Sequence, residues 1–335
     1  MANYVGSSGG GAKRGGGSGK WIFALVALAV LGAGAWFLYP VIEEKLLTAR
    51  TDIEHLGNNI GGQGVSDSPP DVVDAVASAT TKKVQSKEDD DIAKVLAVLA
   101  EVEVLKKADK LVETRDKLLG LMKTPQVLGA SRAAVEELLG DVNVELIMSR
   151  RGMPGKVNYS VQEGDTLGSI VNQFVCPKLH IMKMNNIQDE NRIRPGDVLR
   201  VMDHPKYEIE INKTDNTLVL TFNGEFFKRY KVGTGEFGTT PVGTFVIDDK
   251  IENPPWWKDG KAIPFGDKEN ILGTRWMRIS ATEDTTPVSG YGIHGTWDDT
   301  TLGKQSSAGC IRMSNPDVEE VFMLVPRGTP VRITE

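Results

Sequence analysis

The chain has 335 residues, 40% of them hydrophobic and 25% charged, which is enough for two or three domains of ordinary globular composition. A net charge of −6 argues against a nucleic-acid partner, because phosphate binding needs clustered Lys and Arg and no long basic run appears beyond the extreme N-terminus. Two cysteines, Cys176 and Cys310, are too few for a disulfide framework or a four-ligand zinc site.

Residues 1–20, "MANYVGSSGGGAKRGGGSGK", read as a flexible, weakly basic cytoplasmic tail carrying Lys13, Arg14 and Lys20. The next stretch, "WIFALVALAVLGAGAWFLYPVI" over 21–42, is uncharged. At about 1.5 Å per helical residue it is long enough to cross a hydrocarbon layer of roughly 30 Å. Basic residues precede it and Glu43 and Glu44 follow, so the positive-inside bias predicts a single-pass anchor in a bacterial inner membrane with everything from residue 43 exported. A buried core helix and a signal peptide cleaved after Ala33-Gly34-Ala35 are the alternatives. The apolar run continues through Trp36, Phe37, Leu38 and Tyr39, which suits an uncleaved anchor.

Residues 43–91, with "NNIGGQGVSDSPPD" and "KEDDD", read as a polar linker with too little apolar surface to order itself. From Ile92 the pattern changes. Ile92, Val95, Leu96, Leu99, Val102 and Leu105 recur at helical spacing, and further helical stretches follow around Leu111–Met122 and Ser131–Met148. This predicts a short α-helical spacer over 92–150, resembling tetratricopeptide-like hairpins, whose default roles are scaffolding or docking a protein partner.

Residues 156–203 predict a strand, two helices and a strand, a small α+β unit near the lower size limit for an independent core. Leu167, Ile170, Val171 and Phe174 fall on one helical face, Gly164-Asp165 supplies a turn and cap, and Arg194-Pro195-Gly196-Asp197 turns into the last strand. "YSVQEGDTLGSIVNQF" and "NNIQDENRIRPGDVLRV" resemble a LysM domain. The resemblance implies a shallow groove for N-acetylglucosamine-containing glycans, lined by Gly164, Asp165 and Thr166 and by the loop holding Asn191, Ile193 and Pro195. Cys176, beside Phe174, reads as a buried small apolar residue.

Residues 206–335 alternate in short segments separated by Asp215-Asn216 and Asn223-Gly224, both hairpin turns, which predicts a β-rich sandwich or barrel. "GTGEFG" at 233–238 satisfies a dinucleotide-binding pattern, but the "TTPVGTFVI" that follows cannot open the helix that would hold a pyrophosphate. Its glycines read as tight turns between strands.

The stretch "YGIHGTWDDTTLGKQSSAGCIRMSN" holds one of four histidines and one of two cysteines. A cysteine serves acyl transfer when a base takes its proton and backbone N–H groups stabilise the oxyanion, and Gly309 would let a substrate approach. The spacing of His294 and Cys310 alone is equally compatible with structural roles.

Together with "TTPVGTFVI", "NPPWW" and "IPFGDKENILGTRWM", this stretch resembles the L,D-transpeptidase catalytic domain of bacterial cell-wall enzymes, across essentially all of 206–335. The resemblance implies Cys310 as nucleophile and His294 as base, with a Gly295 carbonyl holding the second ring nitrogen and Gly309 opening the approach. It further implies Arg312, Ser307, Tyr291 and Trp257 as substrate-side residues; a structural salt bridge is the alternative for Arg312. Many members carry a second histidine where this chain has Ala308. The loop 254–270 reads as either a flap over a cleft or a packed surface loop. The implied enzyme works in the periplasm or cell wall on peptidoglycan stem peptides, needs no metal or organic cofactor, and is held on glycan by the LysM unit. An L,D-carboxypeptidase of the same fold and a non-catalytic wall-binding protein are the alternatives.

Overall fold

The computed structural model describes residues 94–335 except 96, 125, 126, 128, 283 and 284. The tail, the apolar stretch 21–42 and the linker 43–91 lie outside the described residues. Among the described residues no helix is long and apolar enough to cross a membrane. The chain divides into two compact units, one running through Glu103 with Gly129–Ser131, the other comprising Val104–Leu128 and Arg132–Glu335. In the first, the described residues 97–103 are helical.

The second unit contains a helical pair, α1 (Leu111–Met122) and, from Arg132 onward, α2 (Gly129–Met148). Leu111, Leu118, Leu119 and Leu121 of α1 and Val135, Leu139, Val142, Leu146 and Ile147 of α2 are buried. Next come β1 (Lys156–Ser160), α3 (Leu167–Phe174), α4 (Lys178–Asn185) and β2 (Val198–Met202). β1 and β2 pair antiparallel from Lys156↔Met202 to Ser160↔Val198, and Ile170, Ile181, Met184 and Val201 fill the space beneath the helices. Thr166 caps α3: its hydroxyl accepts from Ser169 N at 3.0 Å while Ser169 Oγ accepts from Thr166 N at 3.0 Å. Thr166→Ala removes half of this reciprocal cap, and a loss of about 1 kcal/mol is expected in thermal unfolding followed on this unit.

One eight-stranded sheet organises the rest. Its order is β13 (Ile311–Ser314), β11 (Gly292–Thr296), β10 (Arg275–Ala281), β7 (Gly243–Glu252), β14 (Pro330–Thr334), β3 (Tyr207–Asn212), β4 (Thr217–Phe222) and β5 (Glu225–Lys231). Alternation in β3 and β4 turns Tyr207, Ile209, Ile211, Leu218, Leu220 and Phe222 inward. Asn223 and Gly224, both at positive φ, make the tight β4–β5 turn.

Two free edges remain in that order, and the chain brings them together. Gly233, two residues past β5, donates its N–H to Arg312 O at 2.9 Å and accepts from Arg312 N at 2.8 Å. The sheet is therefore nearly closed, a barrel and not a two-sheet sandwich. Helix α5 (Asn315–Leu324) covers the strands that end at the closure, burying Val318, Val321, Phe322 and Leu324. Two short pairs complete the unit: β6 (Thr234–Gly235) with β12 (Gln305–Ser307), and β8 (Trp256–Lys258) with β9 (Lys261–Ile263). The glycines of "GTGEFG" form β6 and a single helical turn, with no α-helix following.

The helical pair is fastened to β5. Asn143 Nδ2 of α2 donates to Phe227 O at 2.8 Å, and its Oδ1 accepts from Arg115 Nε at 2.9 Å. Arg115 also pairs with Glu225 at 2.8 Å, and Glu136 pairs with Arg229 at 2.6 Å. Helices thus cover the outer strand, whose exposed N–H and C=O groups would otherwise offer a pairing edge. The end of α2 is also tied to the small unit. His180 Nε2 lies 3.0 Å from Ile147 O, His180 Nδ1 lies 3.7 Å from Cys176 Sγ, and Lys156 Nζ donates to the Ser149 carbonyl at 2.6 Å. Burial pushes the Cys176 thiol up to about 12, so it stays a neutral packing group.

Candidate active site

His294 lies in the middle of β11, every residue of which is buried, and is only 2% exposed. Its strand neighbours pin the ring. Trp276, its cross-strand partner on β10, stacks on the imidazole with centroids 5.7 Å apart and planes at 25°. On the other side β11 runs parallel to β13, pairing Ile293 with Ile311 and His294 with Arg312. Cys310 immediately precedes β13, so that register sets it beside the start of β11. There its Sγ lies 3.6 Å from Gly290 O and faces the Gly292 N–H. Gly292 and His294 are two residues apart on one strand, so the register sets the cysteine and the histidine on neighbouring strands, two residues apart along them.

The turn carrying Cys310 is held from both sides. Ser307 Oγ accepts from Gly309 N at 3.0 Å and donates to Cys310 O at 2.6 Å. Thr240 Oγ1 donates to Gly309 O at 2.8 Å and accepts from Gly235 N at 2.7 Å. Gly309 has φ 132°, and a Cβ there would come within 2.5 Å of the Tyr291 ring and 3.1 Å of Thr239 O, so both conformation and space demand glycine. Tyr291 thereby forms one wall of the turn. Ala308 is exposed, so the side chain at this position faces outward from the held turn.

His294 Nδ1 lies 2.6 Å from Gly295 O. A neutral imidazole donating there carries its lone pair on Nε2, the tautomer a general base needs. Burial pushes its pKa down to about 4 against the partial support of the Gly295 and Leu272 carbonyls, and the nearby Arg312 charge lowers it further. Burial also pushes the Cys310 thiol up, opposed by the Gly292 N–H and by Arg312. The resting pair at neutral pH is therefore thiol and neutral imidazole, with the thiolate formed as the proton moves. Asn270 ties the loop 254–270 together. It is 1% exposed, donates to Pro254 O at 2.9 Å and Ile263 O at 3.1 Å, and accepts from Leu272 N at 2.9 Å. Trp257, in β8, is 68% exposed and takes part in none of these contacts.

Two buried histidines govern acid behaviour. His180 and His294 are both held near pKa 4 by burial, against 6.5 for the free side chain. Between those values the unfolded chain binds protons that the folded chain refuses, so stability falls as pH drops from 6.5 toward 4. The expected loss is up to about 3 kcal/mol per histidine, measured as the urea midpoint at pH 7, 5.5 and 4.5.

In the small unit, the two loops of the sequence-based groove lie side by side: Gly196 N donates to Val161 O at 2.8 Å and Val161 N to Asp197 O at 2.9 Å. Asp165 and Thr166 are engaged internally. The Asp165 carboxylate accepts from Gln162 N at 2.8 Å and Tyr159 Oη at 2.7 Å, bonds that lower its pKa, and Thr166 caps α3. Gly164, Asn191 and Pro195 stay exposed and Ile193 half-buried. Among the described residues no group of three His, Cys, Asp or Glu side chains could hold a metal ion.

The L,D-transpeptidase catalytic-domain profile matches residues 206–333, and the LysM profile matches 159–201. A Bacillus subtilis protein named as L,D-transpeptidase YkuD is 32% identical over 182 residues, which span 53% of this chain and 98% of that protein. The chain belongs to the L,D-transpeptidase family. A second Bacillus subtilis protein, named as L,D-transpeptidase YqjB, is 39% identical over 126 residues, 37% of this chain and 69% of that one. A crystal structure of an L,D-transpeptidase from Mycobacterium tuberculosis aligns at 18% identity with a TM-score of 0.32, covering 43% of this chain and 75% of that chain. In this L,D-transpeptidase, Trp276 stacks on the histidine and Thr240 holds the carbonyl before the cysteine, each from an element that no local motif connects to them. Their only sequence signal is the strand and turn context in which each sits.

Proposed function

We propose that this L,D-transpeptidase is anchored in the bacterial inner membrane by residues 21–42 and crosslinks peptidoglycan outside it, with the LysM unit held on glycan. Cys310 is the nucleophile and His294 the base. His294 Nε2 takes the thiol proton as Sγ attacks the carbonyl between the third-position diamino acid and the terminal D-alanine of a donor tetrapeptide. The tetrahedral oxyanion collapses, the C–N bond breaks, and D-alanine leaves with the proton returned by His294. A thioester remains on Cys310. The amine of a second stem peptide then attacks it, His294 accepts the amine's proton, and a new amide forms as the thiolate departs. Tyr291, Arg312 and Trp257 serve the substrate side, and Ser307 fixes the nucleophile's turn.

The observation that carries this reading is the buried, neutral His294 with Nδ1 committed to the Gly295 carbonyl, on the strand beside Cys310. Incubating the protein with disaccharide-tetrapeptide and weighing the products tests it. A crosslinked dimer with loss of one D-alanine supports transpeptidation. Tripeptide alone assigns hydrolysis, and unaltered substrate overturns the enzymatic reading.

A further inference from the structure

We propose that Asn315 is a positioning residue for His294: its side-chain oxygen joins the two backbone segments whose carbonyls hold the imidazole. The inference rests on His294 being the base. One of those carbonyls is Gly295 O, 2.6 Å from Nδ1, and the other belongs to Leu272. They come from different elements, β11 and the end of the loop that leads into β10. Asn315 stands where these meet. Its Oδ1 accepts from Thr274 N at 3.0 Å, two residues after Leu272. The same oxygen lies so close to Gly295 that a Cβ at Gly295, or at Gly273, would overlap it.

An ordinary role at the start of α5 does not account for this. The cap there is Ser314, whose Oγ accepts from Asp317 N at 3.2 Å, and Pro316 needs no partner for its nitrogen. Asn315 is thus free to point its amide into the sheet. Helix α5 is the platform that carries it, and the glycines at 273 and 295 are the space it occupies. Freed from Asn315, the two segments can separate, and the ring loses the fixed acceptors that select its tautomer and aim Nε2.

The test uses the full chain and acylation of Cys310 by a carbapenem, followed by mass spectrometry from pH 4 to 9, with folding checked by circular dichroism. Asn315→Ala is expected to slow acylation at pH 7 by about 10- to 100-fold. It should also move the acid limb of the profile to lower pH, because carbonyl acceptors favour the protonated ring and their loss disfavours it. Asn315→Asp keeps the acceptor oxygen and adds a negative charge. It should retain the rate within a few-fold and move the acid limb to higher pH. A slower Asn315→Ala with an unmoved limb overturns the proposal, since a general loss of packing would do that. Should the alanine variant not fold, the aspartate variant decides alone, and an unmoved limb there overturns it as well. His294→Ala separates the two levels. If it acylates as fast as the parent, the base assignment itself fails; if it is slow while both Asn315 variants match the parent, only the role of Asn315 fails.

Discussion

Cys310→Ala is expected to fold like the parent chain and to lose acyl transfer by on the order of 10⁴-fold or more, with no covalent adduct from a carbapenem. The substitution removes one sulfur from a turn whose backbone is held by Ser307 and Thr240, neither of which depends on the thiol. Melting temperature should hardly change while activity vanishes. The pH dependence of the parent follows from the same geometry. A neutral His294 near pKa 4 is competent across the neutral range, and the thiol, raised by burial, supplies its proton only as the base withdraws it. The rate should fall on the acid side as His294 protonates, and His294→Ala should lower it by about 10²- to 10⁴-fold at pH 7. A Cys310→Ala chain that still releases D-alanine from tetrapeptide would remove the thioester from the mechanism.

Asn143→Ala is expected to cost about 3 kcal/mol of folding stability without slowing Cys310 acylation. The amide of Asn143 answers two buried groups at once, Arg115 Nε on α1 and Phe227 O on β5. Alanine leaves both without a partner, and the Arg115 side chain is 6% exposed, so water cannot replace what is lost. Asn143→Asp, which keeps the acceptor and loses the donor, should differ from alanine in size of effect. Urea denaturation at neutral pH reads this as a lowered midpoint with the slope preserved. An unchanged midpoint would mean that the helices only rest against the sheet.

The candidate site was legible as a local pattern where its residues are close in sequence. His294-Gly295 and Ser307-Ala308-Gly309-Cys310 each form a short local pattern, and the hydrogen bonds from Ser307 to Gly309 and Cys310 span three residues at most. Trp276, Thr240 and Asn315 were not legible, because each reaches the site through strand register or a helix start that no local spacing specifies. The small unit was readable for a similar reason: its turns and the face Leu167, Ile170, Phe174 are local, and the two strands pair across only one pair of helices. The covering of β5 by helices was hidden. Asn143, Arg115 and Glu136 look like solvent-facing positions in an amphipathic pattern, and only the tertiary pairing with Glu225, Phe227 and Arg229 makes them interior. Strands β6 and β12, two and three residues long, are shorter than any periodicity can reveal.

The backbone pairing of Gly233 with Arg312 closes the sheet across 79 positions of sequence (312 − 233). Longer still is the pairing of β14 with β3, which joins Val331 to Ile209 across 122 positions (331 − 209), and contacts that distant cost the chain the most freedom to form. Arg312 is two residues from Cys310, yet the strand it lies in pairs with β11 across only 18 positions (311 − 293). The strand pair that sets the thiol beside the His294 strand is thus a local one, and the two side chains can be brought together before the wall of strands around them is closed.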